Sequence, residues 1–311
     1  MTESMARGPK AVLRVMRPGS VAIIGVSSRP GTSGQVVLEC LKINNFRGDI
    51  HLVGRSAEPI SGIRCLASAD DLPQGVDLAV FTLPAVAVGE AVEACARRKV
   101  GAAIIFAAGF AETGDRVTQD RIGQIARDAG LAIVGPNCQG YTNNVHGLFI
   151  HMFNSQKAKR FSKRSRPGVA FIGQTGGMLS HIRRAAEARG MPISYVLSSG
   201  NEAGLDLVDF VEYLIEDVAT RVIVLYAEQI RRPADFLFAC ARAREVGKPV
   251  VLLHGGRSDK ARTAVQSHTG AMVGNYGAMR TLVEDAGVLV VDTLDELLDV
   301  SDVLVRYATP P

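Results

Sequence analysis

Short, continuous apolar runs alternate with stretches of helix length along almost the whole chain. The first set of runs covers residues 21–26, 49–54, 76–83, 102–107 and 132–135, and amphipathic segments at 34–43, 85–99 and 117–129 lie between them. After residue 168 the same order resumes, with runs at 169–173, 193–197, 221–226, 249–253 and 288–291 and helical segments at 177–189, 206–216, 233–246 and 276–286. A strand that is apolar at every position is buried on both faces. Such strands, separated by helices, build a parallel sheet covered on both sides. In sheets of that kind, ligands gather at the carboxyl ends of the strands.

The fold class is therefore α/β, with two units in succession and no strict sequence repeat between them. A chain of 311 residues is long enough for both to have real cores. The first domain is expected over 1–150, a basic linker over 151–168, and a second, flavodoxin-like parallel-sheet domain over 169–311. The linker carries Lys157, Lys159, Arg160, Lys163, Arg164 and Arg166; a solvated loop is its simplest state, and a phosphate or partner contact is the sharper alternative. Net charge is only +4, so no nucleic-acid footprint is forced. The five cysteines are scattered, with no C-x-x-C pair. Neither a disulfide framework nor a metal site is expected, and a reducing cytoplasm fits. No run is long and apolar enough to span a bilayer, and the basic first 18 residues lack the apolar core of a secretory signal.

The loop after the first strand is rich in glycines and hydroxyls: Gly25, Ser27, Ser28, Arg29, Thr32 and Gly34. Glycines permit a tight turn, and the following helix start offers free N–H groups to a phosphate. The loop matches neither the dinucleotide fingerprint nor the P-loop. The second strand ends in Arg55, where a nicotinamide enzyme would place an acid for the ribose. This disfavours NAD and suits a ligand with an extra phosphate. Gly135, Pro136, Asn137, Cys138, Gln139 and Gly140 form a turn in which Asn137 can line a ligand mouth. Nothing in the sequence marks a base for Cys138.

The second unit collects chemistry at its strand ends. Thr175, Gly176 and Gly177 open a helix directly after a strand and form a second anion-binding start. Asn201 follows the next strand, and Glu228 follows the one after. His268 lies in Ser267-His268-Thr269-Gly270-Ala271, beyond the 249–253 run and a loop of small and polar residues. A neutral imidazole is a good phosphoryl acceptor, and a carboxylate on one ring nitrogen makes the other more basic. Each piece alone is more often structural; together, at one sheet edge, they are specific.

In this order the segments resemble the NDP-forming acyl-CoA synthetases, as the α-subunit portion of succinyl-CoA synthetase and ADP-forming acetyl-CoA synthetase. The resemblance rests on V-A-I-I-G-V-S from Val21, G-P-N-C-Q-G from Gly135, F-I-G-Q-T-G-G from Phe171, S-S-G-N-E-A from Ser198, L-Y-A-E-Q-I from Leu225 and S-H-T-G-A-M-V-G from Ser267. It implies a Rossmann-like first domain that binds coenzyme A near residues 25–34. It also implies a phosphorylated His268 oriented by Glu228, a phosphate cradle at Thr175, Gly176 and Gly177, and a place for Asn201 near the acyl phosphate. The implied reaction is acid plus CoA plus NTP giving acyl-CoA, NDP and phosphate, in an oligomer. ATP or GTP with Mg would sit on an ATP-grasp partner, a β-type subunit or a further C-terminal domain, because no such pattern follows residue 299. Where the family often reads V-N-P-K, this chain has Val53-Gly54-Arg55-Ser56, and Arg55 can supply the charge. The competing reading is a CoA-binding regulatory module, or a scaffold associated with protein acetyltransferases, without ligase activity.

Overall fold

The computed structural model describes residues 3–161, 167–257 and 275–307. The first unit is a six-stranded sheet, β1 Ser20–Val26, β2 Asp49–Gly54, β3 Cys65–Leu66, β4 Leu78–Phe81, β5 Ala102–Ile105 and β6 Ala132–Val134, in the order β3-β2-β1-β4-β5-β6. Every neighbouring pair is parallel. Leu78, Ala79, Val80 and Phe81 are all buried, as are the four residues of β5, which is why these strands read as unbroken apolar runs. Strand order reverses between β1 and β4, so the loops after those two strands part to opposite sides and leave a crevice.

The second sheet contains β7 Gly140–Asn143, β8 Leu148–His151, β9 Gly168–Gly173, β10 Ile193–Ser198, β11 Thr220–Ala227, β12 Val250–His254 and β13 Leu289–Val291, in the order β13-β12-β11-β9-β10-β7-β8. Its five parallel strands follow the flavodoxin-like order, with the switch point between β9 and β11. The β7–β8 hairpin adds an antiparallel edge, Tyr195 facing Asn143 and Leu197 facing Tyr141. The hairpin lies almost wholly before the expected first-domain boundary at residue 150, yet it pairs with the second sheet. β7 pairs with β8 on one side and with the open edge of β10 on the other, which takes residues 140–151 into the second sheet. The hairpin still reaches back: Tyr141 Oη donates to Val15 O at 2.9 Å and Asn143 Nδ2 to Met16 O at 2.9 Å. Of the expected linker 151–168, residues 152–161 have no helix or strand, while His151 ends β8 and Gly168 begins β9.

Two helices were not anticipated from periodicity. Pro9–Met16 packs Ala11, Val12, Val15 and Met16 into the core, and Leu294–Arg306 covers the second sheet with Leu297, Leu298 and Val305. The first is short and cationic; its place is set by Arg7 and Gly8, which bind the buried carboxylates of Asp206 and Asp209.

The two units are stitched together by backbone. Gly135 N donates to Ser199 O at 3.1 Å, Asn201 N to Pro136 O at 2.8 Å, Ala203 N to Gly135 O at 2.8 Å and Leu205 N to Ile133 O at 2.7 Å. Gly200 makes the approach possible: its φ is +62°, and a Cβ there would lie 2.2 Å from Pro136 O. Gly200→Ala therefore meets both an unfavourable backbone region and a backbone atom that cannot yield. We expect it to lower unfolding free energy in urea by about 3 kcal/mol; a loss within about 0.5 kcal/mol, the range of neutral surface changes, would contradict the stitch.

Candidate functional site

Both switch points open toward one cavity of about 350 Å³. From the first unit it is lined by Ser33, Thr82 and Leu83 beside the β1/β4 crevice, by Phe106 and by Asn137; from the second by Gln174, Thr175, Gly176 and Gly177. Thr175 is the N-cap of the Gly176–Ala188 helix, yet its own side chain does not cap that helix. The Thr175 hydroxyl instead donates to Glu228 Oε1 across the β9/β11 switch point. Glu228 is buried at the carboxyl end of β11, and its backbone N–H donates to Gln174 Oε1 at 2.7 Å. Gln174 also accepts from Gln229 N at 2.9 Å and donates to Gln229 O at 2.7 Å, clamping the two strand ends together. The expected meeting of Glu228 with His268 lies outside the described residues; the Thr175–Glu228 bond is a contact the sequence alone does not announce, and Gln174 is a further residue of the site.

Gln139 was also left out. In the amide orientation that satisfies both ends, it donates to Gly176 O at 3.1 Å and accepts from Gly177 N at 3.3 Å. A Cβ on Gly176 would lie 2.5 Å from Gln139 Cγ, whereas Gly177 faces open space. The glycines thus serve different ends, one for contact with the first unit and one for access to the helix start. Both glutamines stand inside motifs quoted above, which was the available signal.

The other predicted groups fall in two places. Ser27, Ser28, Arg29 and Thr32 lie in the loop after β1, Gly25 near the end of β1 and Gly34 in the first turn of the Ser33–Ile43 helix, and Arg55 is exposed just beyond β2, on the same sheet edge. Thr32 is the N-cap of the Ser33–Ile43 helix, but its hydroxyl donates to Arg29 O at 3.1 Å and no side chain caps the first turn. Gly34 fits tightly: a Cβ would lie 3.0 Å from Val26 Cα. An uncapped helix start with exposed Ser28 and Arg29 beside Arg55 suits a phosphorylated cofactor. His268 lies outside the described residues.

Asn201 is not in the cavity lining. It is buried between the units, where its amide donates to Glu112 Oε2 and, at 3.0 Å, to Gln119 Oε1, while its Oδ1 accepts from Asn137 Nδ2 at 3.2 Å. Burial alone would raise the Glu112 carboxyl, but Gly109 N–H and the Asn201 amide hold it below its usual range. Next to Asn201, Glu202 is buried and accepts from Ser199 Oγ at 2.9 Å, with Arg231 Nε 3.2 Å away. Desolvation dominates there and pushes its pKa up to about 8 despite Arg231. Cys138 is buried, its thiol pushed up to about 12 by burial, with Sγ on Ile105 O, so it is no nucleophile at neutral pH. On the far side of Glu228, His254 ends β12 with its pKa lowered by burial to about 4, and both residues border an apolar cavity of 270 Å³. Among the described residues no cluster of His, Cys, Asp and Glu could hold a metal ion, and no helix is long and apolar enough to cross a membrane.

The raised Glu202 has a testable sign. A carboxyl whose folded pKa exceeds its unfolded value contributes stability below the ordinary glutamate pKa of roughly 4.3, and that contribution is lost as pH rises toward about 8. Glu202→Gln lacks this titration. The melting temperature of the variant relative to the parent should climb steadily across that window, and a pH-independent difference would contradict the assignment.

Comparison with known proteins bears on the same residues. Residues 19–144 match a family model described as CoA binding domain, and residues 166–304 match succinyl-CoA ligase like flavodoxin domain. A trans-feruloyl-CoA synthase from an unknown prokaryotic organism is 38% identical, over 96% of this chain and 42% of its own length. The α subunit of ADP-forming acetate–CoA ligase II from Pyrococcus furiosus is 30% identical, over 91% of this chain and 60% of its own. In structure, Ca. Korarchaeum cryptofilum dinucleotide forming acetyl-coenzyme A synthetase 1, in complex with phosphate and ADP, matches with a TM-score of 0.84 at 27% identity, over 94% of this chain and 62% of that one. The chain spans less than two thirds of the length of each of these relatives. With a CoA-binding unit followed by the ligase-type flavodoxin unit, and relatives matched across nearly its whole length, the chain belongs to the NDP-forming acyl-CoA synthetase family.

Proposed function

We propose that the chain is the CoA-binding, phosphohistidine-carrying part of an NDP-forming acyl-CoA synthetase, completed by an ATP-grasp partner subunit or domain. The observation that carries this reading is the Thr175–Glu228 hydrogen bond at the β9/β11 switch point, beside the start of the Gly176–Ala188 helix and facing the first unit. Glu228 is the group that would orient the His268 imidazole when it reaches this edge. A carboxylate on one ring nitrogen fixes the tautomer and leaves the other nitrogen as the phosphoryl acceptor. The N–H groups at the start of the Gly176–Ala188 helix would stabilise the charge of the phosphoryl group in transit.

Coenzyme A, when bound, supplies the thiol that attacks the activated acid. The loop 27–34 and Arg55 would hold its phosphates, and Asn137 borders the cavity between them and Thr175. Asn201 is assigned a positioning role: it joins Asn137 to Glu112 and so fixes the mouth of the cavity. ATP or GTP, with Mg, belongs to the partner. The substrate is a small carboxylic acid, and the cytoplasm is the compartment proposed.

Activity of the chain with its partner tests the reading. The isolated chain should show no net turnover of NTP, acid and CoA. In the reconstituted enzyme, Glu228→Gln should lower kcat on the order of 10²-fold, as expected for loss of an acid–base orienting group, with CoA affinity unchanged. His268→Asn should abolish turnover and likewise spare CoA binding. Full activity in the His268→Asn enzyme would overturn the proposal and favour a CoA-binding module.

A further inference from the structure

We infer a second anion site, for a polyphosphate-type ligand, at the sheet edge opposite the candidate centre. A cavity of about 580 Å³ opens where Arg17, just ahead of β1, and Asn44 to Arg47, ahead of β2, meet Arg160 and the tip of the β7–β8 hairpin at His146 and Gly147. These are the amino-terminal ends of β1 and β2, whereas the cavity at Thr175 lies at carboxyl ends.

Three guanidinium groups and one imidazole line this hollow, and no carboxylate does. Among the described residues, none of Arg17, Arg47 and Arg160 forms an ion pair with a carboxylate. His146 is held below its usual pKa by desolvation and then by Arg17, so the imidazole adds little positive charge near neutral pH and the guanidinium groups supply it. The carboxylate that also acts on His146 is Asp217, which accepts from Thr220 Oγ1 at 2.8 Å and Tyr195 Oη at 3.2 Å. Like charges gathered in a concavity repel, and an anion of matching multiplicity relieves the repulsion.

Arg160 is held in place rather than free to swing. The chain around it is tied down by Ala158 N to Asn44 Oδ1 at 2.8 Å, Lys159 N to Asn144 Oδ1 at 3.0 Å and Phe161 N to Asn144 O at 3.0 Å. Its Nη2 donates to Asn44 O at 3.2 Å, and its stem lies across Gly147, where a Cβ would come within 1.9 Å of Nε. Asn44 and Asn144 are both buried, so this arginine is presented from a fixed base. Planar guanidinium forks held from several directions match the oxygens of a di- or triphosphate better than a single carboxylate. The volume also exceeds what one orthophosphate fills. Arg160 belongs to the basic run that joins β8 to β9, apart from the cavity at Thr175.

The test is calorimetric binding of inorganic pyrophosphate to the full chain, repeated with ATP, and on Arg47→Gln and Arg17→Gln. Arg47 has no protein partner among the described residues, so its loss should not disturb folding, which circular dichroism checks. Each variant should weaken pyrophosphate by about tenfold or more, one charge-assisted contact being worth about 1.4 kcal/mol, and leave CoA affinity unchanged. Equal affinity for pyrophosphate and ATP would identify a free polyphosphate as the ligand; markedly tighter ATP would identify a nucleotide. Absence of saturable binding to the parent chain would overturn the inference. So would binding that CoA displaces and that neither substitution alters, since the anion would then sit at the other edge.

Discussion

The molecule depends on a short backbone ladder between residues 133–136 and 199–205, which holds two parallel sheets with their carboxyl edges facing one another. Each sheet alone has a switch point and a helix start whose N-cap side chain does not cap it, which is common. What is specific is that the ladder brings both to a single cavity. The hydrogen bonds are main-chain, so the geometry depends little on side-chain choice except where the strands come too close for a Cβ. Gly200 against Pro136 O is one such point, and Gly204, whose Cβ would lie 2.7 Å from Ile133 O, is another.

Around that ladder the polar groups divide their tasks. Glu112, Gln119, Asn137 and Asn201 form a buried network that fixes the units relative to each other. Glu202 lies deeper, raised by burial and facing Arg231. Glu228 alone of these acids sits at the second switch point, bonded to the hydroxyl that starts the helix. Three carboxylates within one region thus have three environments: one held low by N–H donors, one raised by desolvation, and one bonded to a threonine beside a cavity. Separation of this kind lets a site keep structural acids distinct from a working one.

Much of the strand order was legible because strands buried on both faces leave unbroken apolar runs, and β1, β2, β5, β9 and β10 were placed nearly to the residue. The hairpin at residues 140–151 falls largely within the expected first domain but pairs with the second sheet. Its partner strand lies about 50 residues further on, and nothing local records a pairing that distant. The Pro9–Met16 helix is short, and it is held by Asp206 and Asp209 nearly 200 residues away. At the site, Thr175 and Glu228 were legible because both follow strands and helix starts have known chemistry. Gln174 and Gln139 were passed over, since an amide carries no charge signal and its value lies in which two backbones it joins. Asn201 stood in the right loop, but its side chain turns toward Glu112 and Gln119, a direction that depends on the inter-sheet packing and not on local sequence.

The central claim is that phosphorus passes through an imidazole of this chain at the edge marked by Glu228. The direct measurement is to supply the chain and its nucleotide-binding partner with γ-labelled NTP and map the label by mass spectrometry under alkaline conditions that preserve phosphoramidates. The account predicts acid-labile, base-stable phosphate on His268, lost when the carboxylic acid and CoA are added, as the phosphoryl group passes to the carboxylate and leaves as orthophosphate on attack by the thiol. Label found only on another residue, or a fully active complex that never carries phosphate on His268, would contradict it.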